Sequence, residues 1–118
     1  MAATVAGARI DYVELPSATA HELTRGFYAR AFGWEFTNYG PDYSATTNGI
    51  VDLGLNGQPE DALSAPLPVV RVDALEATFD SVVAAGGIIA RPIYAFPGGR
   101  RFHFVDPSGS ELAVWSVT

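Results

Sequence analysis

Twice along the 118 residues an apolar helical stripe ends in glycine and runs straight into a strand. The first passage is Ala31-Phe32-Gly33-Trp34-Glu35-Phe36 and the second is Ala84-Ala85-Gly86-Gly87-Ile88-Ile89. The same order of elements surrounds each: a strand, a helix, then three strands. A repeated βαβββ unit constrains the whole fold, because neither helix can bury its stripe alone. Each helix must therefore pack on one face of a sheet, leaving the other face to line a cavity.

The elements follow from local patterns. Ile10 to Pro16 alternates and reads as β1, and Ser17 or Thr19 offers an N-cap for the next element. Leu23, Phe27 and Ala31, with Tyr28 and Phe32, give α1 a stripe from about Ala18 to Phe32. Trp34 to Tyr39 reads as β2, Tyr43 to Thr47 as β3 and Ile50 to Leu55 as β4. Residues 56–68, rich in Gly, Pro, Asp and Ser, form a connecting loop. Pro68 to Val72 reads as β5. Asp73, with Glu76 three residues on, has the spacing of a capping box for α2, whose stripe is Leu75, Phe79, Val82 and Val83. Ile88 to Ala90 reads as β6, and Arg91 to Gly99 as a loop with strand character. Arg101 to Val105 (β7) and Glu111 to Val117 (β8) close a hairpin over Asp106-Pro107-Ser108-Gly109. The reading is one domain over residues 1–118, with module one at about 8–56 and module two at about 67–117.

Composition narrows the classes. The chain is 48% hydrophobic and 17% charged, as expected of a globular domain. It has no cysteine, so it offers no disulfide and no thiolate, which fits a cytoplasmic location. Met1 to Gly7 lacks a basic stretch and a long apolar run, so no signal peptide is expected. No segment approaches the length of a membrane span. The net charge is −6 and every strong cation is arginine, which argues against nucleic acid as a partner.

The hairpin pattern Phe102-x-Phe104-x-Asp106-Pro107-x-Gly109-x-x-Leu112 resembles the closing hairpin of the glyoxalase/bleomycin-resistance/dioxygenase superfamily, the vicinal oxygen chelate fold. Glu14-Leu15-Pro16, with Phe27-Tyr28-x-x-x-Phe32-Gly33-Trp34, is similar to that family's first module. Val72-Asp73-x-Leu75-x-Ala77, followed by Ala84-Ala85-Gly86-Gly87, is similar to its second. The resemblance implies an α+β fold in which two βαβββ modules form a curved mixed sheet around a central cleft, with the helices on the outer face. It also implies a homodimer. Metal enzymes of the family carry His or Glu at four slots facing the cleft. Here those slots hold Tyr12, a position near Asp52, Leu67 and Ala113. Two are aliphatic, so no bound catalytic metal and no other cofactor are expected.

Alternation assigns faces. With Ala113 facing the cleft, Glu111 and Trp115 face it too, while Leu112 and Val114 face α2. Ile10, Tyr12 and Glu14 share the cleft side of β1, opposite Val13 and Leu15. Val69 and Arg71 share the side of Leu67. Glu14 and Arg71 could pair as ions or orient a polar ligand. His103 shares a face with Arg101 and Val105. It reads as a structural histidine, a hydrogen-bonding contact or a general base, and with Glu14 it is the candidate for acid–base catalysis. His21 reads as solvent-exposed or capping. Trp34, Tyr39, Tyr43, Tyr94, Phe96 and Trp115 could line a groove for a flat molecule, although each alone could be core or interface. The mobile Gly98-Gly99 pair with Arg100 and Arg101 suggests a rim contact to an anion or acidic residue.

The expected ligand-binding set is Tyr12, Glu14, Trp34, Arg71, Tyr94, Arg101, His103, Glu111 and Trp115. The leading reading is a metal-free small-molecule-binding protein that resembles the bleomycin-resistance type and takes a flat organic ligand or antibiotic. The alternative is a lyase, isomerase or dioxygenase of the same superfamily with atypical ligands. A third reading is a dimeric interaction module with no small ligand.

Overall fold

The computed structural model describes residues 7–47 and 49–118, so most of the segment read for a signal peptide lies outside the described residues. Residues 12–67 form one compact unit. Residues 68–118, with the described residues up to Asp11, form a second. The chain is α+β, and each unit contains a mixed sheet with one helix.

In the first unit the elements are β1 (Arg9–Pro16), α1 (His21–Phe32), β2 (Thr37–Asn38), β3 (Tyr43–Ala45) and β4 (Asp52–Asn56). The strand order is β2-β3-β4-β1. β1 runs parallel to β4, with Tyr12 opposite Asp52 and Glu14 opposite Gly54, and the other pairs are antiparallel. Parallel pairing of the first and last strands is what an intervening helix and hairpin permit.

Several sequence expectations are corrected in this unit. α1 starts at His21 and not near Ala18, and neither Ser17 nor Thr19 caps it. The Ser17 hydroxyl is 2.7 Å from His21 Nδ1, and His21 Nε2 is 3.0 Å from the Ser44 hydroxyl. His21 is therefore neither exposed nor capping; it is half-buried and fastens α1 to β3. The apolar stripe of α1 does not pack on the sheet. Leu23, Phe27 and Phe32 are 75%, 54% and 60% exposed, and no residue of the helix is buried. Gly33, at φ +72, ends the helix in the left-handed region and turns the chain back on it. Trp34 then stacks on Tyr28 and Phe32 instead of entering a strand, which shortens β2 to two residues. Likewise β4 starts at Asp52, because Asp52 Oδ1 accepts the Gly49 N–H and the Thr46 hydroxyl and closes a turn there. Ile50, ahead of that turn, is 94% exposed.

The second unit contains β5 (Leu67–Arg71, counted from Pro68), α2 (Leu75–Ala84), β6 (Ile88–Phe96), β7 (Gly99–Val105) and β8 (Glu111–Ser116). The order β5-β8-β7-β6 repeats that of the first unit, again with the first and last strands parallel. Here the helix does bury its stripe. Val72, Leu75, Phe102 and Val114 form a closed core, flanked by Val70, Phe79, Val82, Ile89, Ile93 and Phe104. Phe79 meets Phe102 edge to face at 5.1 Å. Each such buried side chain contributes about 1.5–3 kcal/mol.

The expected cap and stripe of α2 also need correction. Ala74 is the N-cap, without a side-chain bond. Glu76 pairs with Arg100 of β7 and so forms no capping box. Val83 falls off the stripe and is exposed.

β6 runs on to Phe96, well past Ala90. Its register against β7 shifts between Ile89 and Arg91 and again between Arg91 and Tyr94. These irregularities accommodate Pro92 on an edge strand, where a missing N–H breaks no inner ladder. They also let Ile89 and Ile93 face α2 while Arg91, Tyr94 and Phe96 share the face of His103 and Arg101. Gly98 lies in the tight β6–β7 turn and Gly99 opens β7, so the pair does not form a loop. Among the described residues no helix is long and apolar enough to cross a membrane.

Candidate functional site

Strand pairing sorts the second module into two faces. Phe102 and Phe104 of β7, with Val114 of β8, point to α2. Arg101, His103 and Val105 lie opposite Trp115, Ala113 and Glu111 on the helix-free face, as alternation predicts. Val69 and Arg71 of β5 pair with Ala113 and Trp115 on that same face. Leu67 and Ala113 are buried, and neither joins the core under α2.

His103 is the centre of this face and is buried. Its Nδ1 lies 2.8 Å from Glu111 Oε2. Its Nε2 is approached by Arg101 Nε at 3.2 Å, by Arg101 Nη2 at 3.1 Å and by the Tyr94 hydroxyl at 3.1 Å. A guanidinium can only donate, so Nε2 must present its lone pair. The ring proton then sits on Nδ1 and is donated to Glu111. The imidazole is thus neutral in one defined tautomer. Burial pushes its pKa below the ordinary histidine value. The Glu111 hydrogen bond pulls the other way, and the Arg101 and Arg91 charges add to the lowering. Glu111, eight residues along the chain, is the carboxylate partner of His103. The four-residue turn at Asp106–Gly109 brings it across the hairpin, and the Asp106 carboxylate fixes that turn by accepting the N–H groups of Ser108 and Ser110.

Aromatic and cationic groups alternate around this centre. Arg91 lies 3.9 Å over the Tyr94 ring, and Arg71 lies 5.0 Å over Trp115. Arg101 is 5.9 Å from both Tyr94 and Phe96, and Phe96 packs against Trp115 at 6.0 Å. Trp115 Nε1 donates to Asp11 at 3.0 Å, which fixes the indole plane. Phe96, Arg91 and Asp11 are contributors that the sequence reading left out of its binding set. The irregular register of β6 hid Arg91, and strand pairing alone reveals it.

The helix-free face of the first module has different chemistry. The Tyr12 and Tyr43 hydroxyls are 2.7 Å apart, and Tyr43 donates to Glu14 Oε2 at 2.8 Å. Tyr43 has one proton, so Tyr12 donates to Tyr43 and the chain of bonds runs Tyr12 to Tyr43 to Glu14. Asn56 Nδ2 donates to Asp61 at 3.0 Å and, at 3.4 Å, to Glu14 Oε1. Burial raises both tyrosine pKa values far above the ordinary range, and the Glu14 charge adds to each. Both stay protonated. Gly54 makes the arrangement possible: a Cβ there would sit 2.2 Å from the Tyr12 hydroxyl and 2.5 Å from that of Tyr43. Trp34 joins neither helix-free face, since it stacks beside α1.

The four positions implied for a metal do not fit one. Leu67 and Ala113 have no ligating atom, Tyr12 is held as a protonated phenol, and Asp52 closes the turn at Gly49. Among the described residues no group of three or more His, Asp or Glu side chains is placed to hold an ion.

Comparison with known proteins agrees with this architecture. The protein named "Putative glyoxylase CFP32" from Mycobacterium bovis is 28% identical, covering 91% of this chain and 45% of that protein. The chain thus spans about half the length of the curated relatives it matches. Methylmalonyl-CoA epimerase from Mycobacterium tuberculosis is similar in fold, with a TM-score of 0.74 at 14% identity, covering 100% of this chain and 93% of that one. The Mn(II)-bound glyoxalase from Novosphingobium aromaticivorans gives a TM-score of 0.63 at 21% identity, covering 96% of this chain and 39% of that one. The family model described as Glyoxalase/Bleomycin resistance protein/Dioxygenase superfamily matches residues 9–114, and the chain belongs to that superfamily.

Proposed function

We propose that this chain is a metal-free small-molecule-binding protein that takes a flat organic ligand, such as a planar antibiotic, on the helix-free face of its second module. One observation carries the reading. Tyr94, Phe96 and Trp115 are half-buried on one face and fixed by arginine stacking and the Asp11 bond, so three rings are already ordered. Preordered aromatic surface binds flat molecules at low entropic cost. Thermal-shift titration with planar compounds tests the reading. A ligand at a hundred times its Kd should stabilise the fold by about 2.7 kcal/mol, and Trp115→Ala should remove that shift. If no planar compound moves the wild-type midpoint, the reading fails. The homodimer and the cytoplasmic location belong to the same proposal, and sedimentation velocity checks the first.

A second reading is an enzyme of the superfamily, a lyase, isomerase or dioxygenase with atypical ligands. The His103–Glu111 pair favours it, because a neutral imidazole oriented by a carboxylate can accept a proton at Nε2. Glu14, engaged by Tyr43 and Asn56, is less suited to that role. Turnover that disappears in His103→Gln while ligand affinity persists would favour the enzyme.

A further inference from the structure

We infer that the ligand of the second module's helix-free face is a flat aromatic carboxylate, and that its carboxylate draws Arg101 away from His103. The inference rests on the reading that this face binds a flat molecule. It goes further by naming the ligand's charge and the side chain that moves.

The charge distribution comes first. The chain has a net charge of −6 and only seven cationic side chains, all arginines. Three of them, Arg71, Arg91 and Arg101, stand on this one face among the rings. Glu111 and Asp11 stand there too, each hydrogen-bonded, so three cations face two carboxylates. The face is therefore a cationic aromatic surface on an acidic protein, and it complements an anion with a π-system.

The geometry of Arg101 comes second. Its Nε and Nη2 both converge on a single nitrogen, His103 Nε2. A neutral imidazole nitrogen has one lone pair, so it can fully satisfy one donor. The parallel N–H groups of a guanidinium match the two oxygens of a carboxylate much better. A bound carboxylate therefore outcompetes the imidazole for Arg101.

Moving Arg101 also changes His103. The groups facing its ring are Glu111 from β8, Arg101 on β7, and Arg91 and Tyr94 from β6. When the guanidinium leaves, a neighbouring positive charge is spent on the ligand, and the Tyr94 hydroxyl, 3.1 Å from Nε2, remains to accept from an Nε2–H. Nε2 then takes a proton from solvent, and Glu111 on Nδ1–H balances the imidazolium. Ligand binding is thereby coupled to proton uptake, and affinity rises as pH falls.

Calorimetric titration of the full chain with 2-naphthoate and its neutral isostere 2-naphthamide tests this. At about pH 6.5, near an ordinary imidazole midpoint, the carboxylate should bind more than about tenfold tighter than the amide, a gap of about 1.4 kcal/mol. Its binding heat should differ between buffers of unlike ionisation enthalpy, in the sense of proton uptake. Arg101→Gln should level the two affinities and abolish the buffer dependence. Equal affinities in the wild type would overturn the inference and leave the flat-ligand reading standing. Binding of neither probe would remove both. If Arg101→Gln fails to fold, the wild-type carboxylate-to-amide ratio and buffer dependence decide alone.

Discussion

The two modules share a strand order and a parallel first-to-last pairing, yet they differ on both sides of their sheets. In the second module the helix seals a core around Phe102 and Leu75. In the first, α1 is fastened by the polar chain Ser17–His21–Ser44 and leaves its rings outside. The helix-free sides also differ: a chain of tyrosine hydroxyls ending on the Glu14 carboxylate occupies one, whereas Arg71, Arg91 and Arg101 put cationic donors on the other. A repeated backbone therefore fixes which residues share a face but not the chemistry of that face.

The largest predicted effect tests the helix sides. Phe102→Ala should cost about 3–5 kcal/mol, because it opens a cavity in a sealed core. Phe27→Ala on α1 should cost less than about 1 kcal/mol, because that ring is already half in water. Chemical denaturation of the two variants gives both numbers. A cost of several kcal/mol for Phe27 would show that α1 is packed after all, and the contrast between the modules would vanish.

Next comes the close approach in the first module. Gly54→Ala places a methyl against the Tyr12 and Tyr43 hydroxyls and should destabilise by about 1–3 kcal/mol. Pairing it with Tyr43→Phe makes the prediction specific. Removing that hydroxyl clears part of the clash, so the double variant should be more stable than the sum of the two single costs implies. Strict additivity would mean that Gly54 is not there to admit the hydroxyls.

How much of this was legible in the sequence differs between the modules for physical reasons. Regular alternation puts Arg101 with His103 on one side of β7, and Glu111 and Trp115 with Ala113 on one side of β8; strand pairing makes these the same side. Alternation does not carry into β6, where the irregularities around Pro92 put Arg91 and Tyr94 on one face although they are three positions apart. The His103–Glu111 pair is a contact across the hairpin, so it shows only once the turn's register is set and not in proximity along the chain. In α1, helical spacing puts Leu23, Phe27 and Ala31 on one side. Periodicity says that residues share a side; it does not say that the side is covered. Trp34 lies outside any strand although the residues after it alternate, because the left-handed turn at Gly33 leaves no signal in that alternation.

The pH limits of stability should divide along the same line, the alkaline one being the larger. Tyr12 and Tyr43 have raised values in the folded chain, so above the ordinary tyrosine value of about 10 the unfolded chain sheds protons that the folded chain keeps. The folded state then binds more protons than the unfolded one, and stability falls as pH rises. Tyr12→Phe should flatten that alkaline limb and leave the acid limb unchanged.

The smallest effect lies in the second module and has the opposite sense. His103 has a lowered value in the fold, first through burial and then through Arg101 and Arg91, with Glu111 offsetting part of it. Below the ordinary histidine value of about 6.5 the unfolded chain takes up a proton that folded His103 refuses. The unfolded state then binds more protons, so stability falls as pH drops through that value towards the lower folded one. His103→Gln should flatten this limb, and so should replacing Arg101, which relieves the charge facing the ring. Glu111→Gln should steepen it, because it removes the carboxylate that favours the imidazolium. Denaturation midpoints of the three variants between about pH 7 and pH 5 give the slopes. An acid limb that Glu111→Gln makes shallower would reverse the proton assignment on His103, and with it the donor-rich character of this face.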